Sequence, residues 1–528
     1  MTTTRDEAAR PARHVRPGAS GLALLTLMSA SHAATAPAPA APMPLQPTLS
    51  IAAVATDNAR LATAGNERTD LIGETDAGVI VRSIGPRVSV TGNVGLDFLG
   101  YARHSEPDAV LPRGHLEIDS TLLEQALFFD GEISAERTRS DPLAAQSNDF
   151  STANTISTTR FRASPYYAHE FSDTLSALVR SDTTITRNKS VGTSSTAAPD
   201  GSTYRHDIVQ IVRKPTPFGV MIDGSSEDTR YQDRTASALK ADTLQATLTT
   251  ELADELLLGV IGGHEHAVHD NTVDDDATYG GMLQWRPSRR ISLDLNAQHH
   301  YFGDGWSLHL QDRLPRTVVD LTMTRSVSAS VATFGNYSID SDPTALLGAI
   351  LSSRTPDAPK DDQAAEQLAQ AVGLPGSFPQ PLSIVSDHAQ VATRAQLNLL
   401  YAGPRDVVYA SAWYQKAVAL AGTQTVPATP ADLDSRQWGG SLGLYHRLTP
   451  TLSAAAEVQW SRIDALGARA GDSQRQASGT LSMTQRLGPH TTLSGGARHF
   501  SAQTALASTA TTTRVRENQA FVGLRMQY

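Results

Sequence analysis

Runs in which apolar and polar residues alternate with a period of two recur from Thr48 to Tyr528. Ile291, Leu293, Leu295 and Ala297 share one parity against Ser292, Asp294, Asn296 and Gln298. Thr317, Val319, Leu321 and Met323 oppose Asp320, Thr322 and Thr324, and Ala395, Leu397, Leu399 and Tyr401 oppose Arg394, Gln396 and Asn398. Successive side chains of a strand point to opposite faces, so each run predicts a strand with one apolar and one polar face. Beyond the leader region no segment approaches the roughly 20 apolar residues of a spanning helix. Alternation alone fits a soluble sandwich, whose polar face meets bulk water, and a barrel, whose polar face meets a wet lumen.

The connections separate the two. Tight turns are predicted at Gly488-Pro489, Thr449-Pro450, Gly403-Pro404, Leu314-Pro315, Arg286 to Arg289, Ala253-Asp254, Phe171 to Asp173 and Gly85-Pro86. Long polar loops fall between them at Ser501 to Thr512, Gly467 to Asp472, Ala419 to Asp434, Ser328 to Ser386, Val268 to Ala277, Asn188 to Gly201 and Arg137 to Ser151. Gly303-Asp304-Gly305 alone breaks the alternation of short and long. Bacterial barrels have short turns at one rim and longer loops at the other. The expected fold is therefore all-β, a large transmembrane antiparallel β-barrel of about 22 strands, range 18 to 24, with a helical insert in one external loop. Phe171 to Ser176, Leu448 to Ser453 and Leu487 to Ser494 resemble one another and read as a repeated hairpin. Ala520, Val522, Leu524, Met526 and Tyr528 form the apolar face of a terminal strand ending in an aromatic, which resembles the signal for barrel insertion. Aromatics make up only 6% of the chain, thin for a barrel expected to carry two aromatic girdles.

Composition adds an exported, acidic, thiol-free chain. Residues 1–33 read as a signal peptide, with Arg5, Arg10, Arg13 and Arg16 before an apolar run and Ser31-His32-Ala33 at the cleavage site. Their removal deletes four Arg and two acids and takes the formal charge from -10 to -12, which argues against a nucleic-acid partner. There is no cysteine, so neither disulfides nor thiolate metal sites are available. Residues 34–47 form an Ala/Pro linker, and 48–528 the expected barrel. Within it the insert 328–386 carries two predicted helices: one starting at Asp342-Pro343 and running through Ser353, the other spanning Asp357 to Val372 before Gly373 and Pro375. Two placements are open for it: folded into the mouth, narrowing the pore, or exposed above the membrane.

Short motifs spread along the chain resemble one known family. They include Thr56-Asp57-Asn58, Gly85-Pro86-Arg87-Val88-Ser89-Val90 and Tyr101-Ala102-Arg103-His104-Ser105. Trp285-Arg286-Pro287-Ser288-Arg289-Arg290, Phe302-Gly303-Asp304 with Trp306-Ser307-Leu308, and Arg394-Ala395-Gln396-Leu397 before Gly403-Pro404-Arg405-Asp406 continue the series. Their order and spacing resemble the PEP-CTERM system-associated outer-membrane β-barrel proteins found beside exopolysaccharide and exosortase loci. The resemblance implies an envelope barrel linked to polysaccharide export or assembly, with polysaccharide as a partner; the expected barrel and its terminal strand add outer-membrane lipid or lipopolysaccharide and the insertion machinery as partners, and a periplasmic C-terminus. It implies no catalytic residue.

Candidate chemistry is sparse. His264, His266 and His269 are a weak metal candidate, because imidazole suits Zn, Cu or Ni, but the spacing is not that of a helical zinc motif. Asp274 to Asp276 lack the glycine and terminal Glu of a calcium loop. With Ser and Thr this common and 16 His residues, accidental Ser/His sets are easy to propose, so neither enzymatic activity nor a cofactor is expected. Asp294, Gln298, Gln311, Arg313, Gln396 and Asn398 are the candidate lumen lining, a largely neutral row suited to a sugar-like or unselective path. A general diffusion porin and an exported β-rich adhesin are the competing readings.

Overall fold

The computed structural model describes residues 45–528 apart from 140, 146–153, 192–200, 216, 233–237, 270–271, 329–342, 355–364, 366–368, 370–387 and 421–433. The expected signal peptide and most of the expected linker lie outside the described residues. The chain first forms β1 (Leu45–Thr56), β2 (Asp70–Ile84), β3 (Val88–Tyr101), β4 (Ala109–Leu123), β5 (Leu127–Arg139), β6 (Thr155–Ser172) and β7 (Leu175–Val191). It continues through β8 (Gly201–Arg213), β9 (Phe218–Tyr231), β10 (Leu239–Ala253), β11 (Leu256–His269), β12 (Thr272–Trp285), β13 (Ile291–His300), β14 (Gly303–Arg313) and β15 (Thr317–Ser328). After helix α1 (Pro343–Arg354) come β16 (Gln390–Ala402), β17 (Asp406–Ala419), β18 (Ser435–Arg447), β19 (Leu452–Ala465), β20 (Ser473–Arg486), β21 (Thr491–Leu506) and β22 (Thr511–Gln527). Each strand pairs antiparallel with its sequence neighbours, and β22 pairs with β1 from Thr48↔Gln527 to Thr56↔Gln519. The sheet is a closed 22-strand barrel with no open edge.

The hairpin repeat has a hydrogen-bonding cause. Ser172 Oγ accepts from the Leu175 N–H at 3.1 Å, and Thr449 Oγ1 accepts from the Leu452 N–H at 3.0 Å. A hydroxyl three residues before the next strand thus takes over a backbone donor while the chain reverses. All ten connections at this rim span two to five residues. At the opposite rim, connections range from two residues (270–271, 301–302) to the 61 residues between Ser328 and Gln390. Two predicted loops are shorter than expected, because their flanking strands extend past the membrane-facing part. Val268 to Ala277 is mostly β11 and β12 joined at 270–271, and Ser501 to Thr512 is mostly β21 and β22 joined at 507–510. The barrel also begins earlier than Thr48: Leu45, Gln46 and Pro47 belong to β1, where the Pro47 carbonyl accepts from the Tyr528 N–H at 3.0 Å.

The register assigns every side chain a face. Leu248, Val260, Leu442, Val458, Leu481 and Val522 are each about half-exposed or more on the outside, where a soluble protein would not leave so many. Exposed Phe171, Phe218, Trp285 and Tyr528 stand near the short-turn rim, and Phe98 and Trp460 near the loop rim. An apolar band with aromatics toward both rims is the surface of a barrel that spans a bilayer, and the aromatics in it are as few as the composition implies. The shortest strand has 10 residues and the longest 18, enough for the roughly 9 to 11 that a tilted strand needs. Ala520, Val522, Leu524 and Met526 face outward on β22, while Glu517, Gln519 and Phe521 face the lumen across the closing seam.

Candidate functional site

Twenty-two strands about 4.8 Å apart, tilted by about 40°, enclose a circle roughly 44 Å across, more than wall side chains alone can fill. What lines and fills the lumen is therefore the site. All six candidate lining residues share the inward face: Asp294 and Gln298 on β13, Gln311 and Arg313 on β14, and Gln396 and Asn398 on β16. They are tied to one another and to their neighbours. Gln311 Nε2 donates to Asp320 Oδ2 at 3.2 Å, Gln396 Nε2 to Asn398 Oδ1 at 3.2 Å, Arg286 Nη2 to Asp294 Oδ1 at 3.1 Å, and Arg313 Nη2 to the Arg289 carbonyl at 2.7 Å.

The opposite wall was not legible as a site and is far more charged. On β2 to β7, Arg113 bridges Asp76 and Asp97, and Arg137 also reaches Asp97. Arg180 contacts Asp130 at 2.8 Å and Asp182 at 3.1 Å, and Arg162 contacts Asp182 at 2.8 Å. Three cross-strand pairs here are acid against acid: Asp76↔Asp97, Glu117↔Glu132 and Asp119↔Asp130. Like charges placed directly opposite repel, which explains the interleaved arginines. The lumen is thus not the uniformly neutral path expected from β13 to β16. Its sequence signal was the i, i+2 spacing of charges in Arg160-x-Arg162, Arg180-x-Asp182 and Asp130-x-Glu132, which places both members on one face.

Residues 58–61 of the loop rim bury Leu61 against the inward Phe500, Ala502 and Val515, and two further segments enter the lumen. Leu346, Leu347 and Ile350 of α1 are fully buried in a cluster with Val318, Leu400, Ala402, Val407, Tyr409 and Tyr445. Those wall residues are inward-facing and lie within a few residues of the short turns. Val318 is ten residues along β15 from Ser328, so α1 is seated roughly 33 Å along the strand from that strand end, or about 25 Å along the axis. Of the two open placements, α1 takes the interior, well below the mouth. Ala365 and Ala369 are helical and buried in the same cluster, and Ala365 lies opposite Gly348. The remainder of the second predicted helix lies outside the described residues.

The second segment follows β5. Leu143 is buried against Ile463 and Ala465, its carbonyl accepts from Thr504 Oγ1 at 2.9 Å, and Arg139 Nη2 reaches Gln476 Oε1 at 3.0 Å. Residues 141–145 therefore cross from β5 to the inner wall of β19 to β21 near the loop rim.

The three histidines do not converge. His264 and His266 face outward beside Asp275, with His266 Nδ1 at 2.6 Å from Asp275 Oδ1, whereas His269 faces the lumen and is buried. An odd separation on a regular strand puts residues on opposite faces.

No protein-family model and no curated protein matches this chain. Solved structures give loose likenesses. OccK3 (OpdO) of Pseudomonas aeruginosa is 10% identical with a TM-score of 0.31, over 92% of this chain and 96% of that one. The siderophore receptor PiuA of Acinetobacter baumannii is 8% identical with a TM-score of 0.44, over 91% and 82%. The ferric citrate transporter FecA is 8% identical with a TM-score of 0.45, over 92% and 78%. The barrel assignment rests on this chain's own register and closure.

Proposed function

We propose that the protein is an outer-membrane conduit that carries its own plug and serves exopolysaccharide export or assembly. The observation that supports the conduit is α1, a helix whose Leu346, Leu347 and Ile350 are buried against the inner wall about 25 Å below the loop rim. A barrel wide enough to need filling, filled by a segment tethered at one rim, is suited to controlled passage. The seat of α1 against β14 to β18 leaves the path along the opposite, charged wall, where Glu117 and Glu132 face each other. The short-turn rim, with the C-terminus, then faces the periplasm. The polysaccharide cargo is supported by the family resemblance, and by the Gln, Asn and Ser side chains of β16 to β20, which offer both donors and acceptors to hydroxyl groups.

A knockout strain tests this. Surface polysaccharide should fall while its precursor accumulates inside the envelope, and uptake of small solutes should not change. Normal surface polysaccharide with reduced solute uptake would instead establish a general diffusion porin.

A further inference from the structure

The outside of the barrel near the loop rim carries a feature that transport does not use. Lys416 on β17 lies directly opposite Arg436 on β18, and Arg462 on β19 lies directly opposite Arg475 on β20; all four face outward. Like charges at directly paired positions of a sheet repel, so two such pairs side by side are an unfavourable arrangement unless an anion sits between them. Arg514 and Arg516 on β22 extend the row, with Gln503 and Ser501 of β21 between. Among the described outward side chains of β17 to β22 at this rim, Asp464 is the one acid, 3.2 Å from Arg436 and 2.8 Å from Arg462. On the other side of the rim, outward basic residues stand beside acids, as in Arg230 with Asp228 at 2.6 Å, Lys240 with Asp242 at 3.1 Å and Arg205 with Asp207 at 2.9 Å.

What lies next to the row along the strands identifies the ligand. The Arg436 and Arg462 guanidinium carbons stand 5.3 Å and 5.2 Å from the Trp438 ring centre, and Trp460 packs edge-on at 6.5 Å. Stacking presents both guanidiniums outward in fixed orientation. Beyond the indoles, toward the short turns, come outward Leu442, Val458 and Leu481, all strongly exposed. Cations, then indoles, then aliphatic side chains is the order in which a lipid presents phosphate, interface and acyl chain.

We propose that this face, Lys416, Arg436, Arg462 and Arg475 above Trp438 and Trp460, binds the phosphorylated headgroup of a membrane glycolipid with its acyl chains along β18 to β20. The proposal rests on the bilayer-spanning reading of the barrel and not on the cargo. Bidentate guanidinium contacts suit phosphate oxygens, and the row spans about 24 Å, five strand spacings.

The test uses the full chain in phosphatidylcholine nanodiscs doped with a bisphosphorylated glycolipid, with bound lipid counted by native mass spectrometry. A basic residue at an anionic lipid surface contributes about five-fold in affinity, so the triple variant R436Q/R462Q/R475Q should bind on the order of 100-fold more weakly. The single reversal R475E, at an exposed position, should bind at least about five-fold more weakly, and it covers the case in which the triple variant does not fold. The control R205Q/R230Q/K240Q, on the other side of the same rim, should bind as the native chain does. Loss below about three-fold in both patch variants, equal loss in the control, or equal binding of the dephosphorylated lipid would overturn the proposal. Displacement by millimolar inorganic phosphate alone would mean a phosphate site and not a lipid site, and would also overturn it. A chain that never enters the nanodisc bilayer overturns the membrane reading as well, whereas a chain that inserts and binds without regard to the patch overturns only the lipid site.

Discussion

Leu347→Ala combined with Ile350→Ala separates a docked plug from a passive loop. Both side chains are fully buried between α1 and the wall, and the substitutions change no strand residue. A buried Leu or Ile cut to Ala costs about 2 to 5 kcal/mol, and two neighbours on one helix face are less than additive, so about 4 kcal/mol is a working figure. A 12-residue helix has little stability of its own in water, so α1 stays in place largely through this contact. Each 1.4 kcal/mol is a factor of ten, and the docked population should fall about a thousandfold relative to the released one. In planar bilayers the native chain should conduct at a low level, and the double variant should step to a higher one. That higher level should match a chain lacking 329–389, in which a two-residue turn joins Ser328 to Gln390; these are register partners, so the closure is short. If both variants run as folded, heat-modifiable barrels and conduct like the native protein, α1 does not obstruct the path.

Other outcomes follow from the same register. The chain has no cysteine, so Leu143→Cys gives a single reporter; buried in the lumen, it should resist an impermeant maleimide, and fast labelling would place residues 141–145 outside. Val522→Arg puts a charge on the lipid face of the closing strand and should cost about 2 to 4 kcal/mol, read as a lower urea midpoint for folding into vesicles; an unchanged midpoint would contradict the facing assigned to β22. Glu117→Gln with Glu132→Gln removes one acid pair from the wall opposite the plug and should lower the preference for cations, seen as a smaller reversal potential in a salt gradient; an unshifted potential would route ions elsewhere.

Barrel class, strand number and facing were legible because each follows from local rules. A period of two sets the faces, and a hydroxyl or proline in a tight turn sets the reversals, as Ser172 and Thr449 demonstrate. The six lining residues fell on the inward parity for the same reason. Strand ends were less legible, since β11 and β12 continue in register past the membrane-facing part with polar residues that read as loop.

The charged wall and the lipid-facing basic row depend on which strands become neighbours and in what register. Asp76 and Asp97 are far apart in sequence, and only the pairing of β2 with β3 sets them face to face; Arg462 meets Arg475 only through the pairing of β19 with β20. The plug depends on more still. The sequence marked 328–386 as an insert able to form helix, but an apolar helix needs a partner surface, and nothing local names it. Closure of β22 on β1 made a lumen too wide for its walls to fill, and the apolar patch of Val318, Leu400, Val407 and Tyr409 near the short turns gave α1 its place inside. The sequence by itself determined a barrel and its two faces, because those rules act between residues a few positions apart; the tertiary structure decided what occupies the interior, because burial is settled only where distant strands enclose a volume.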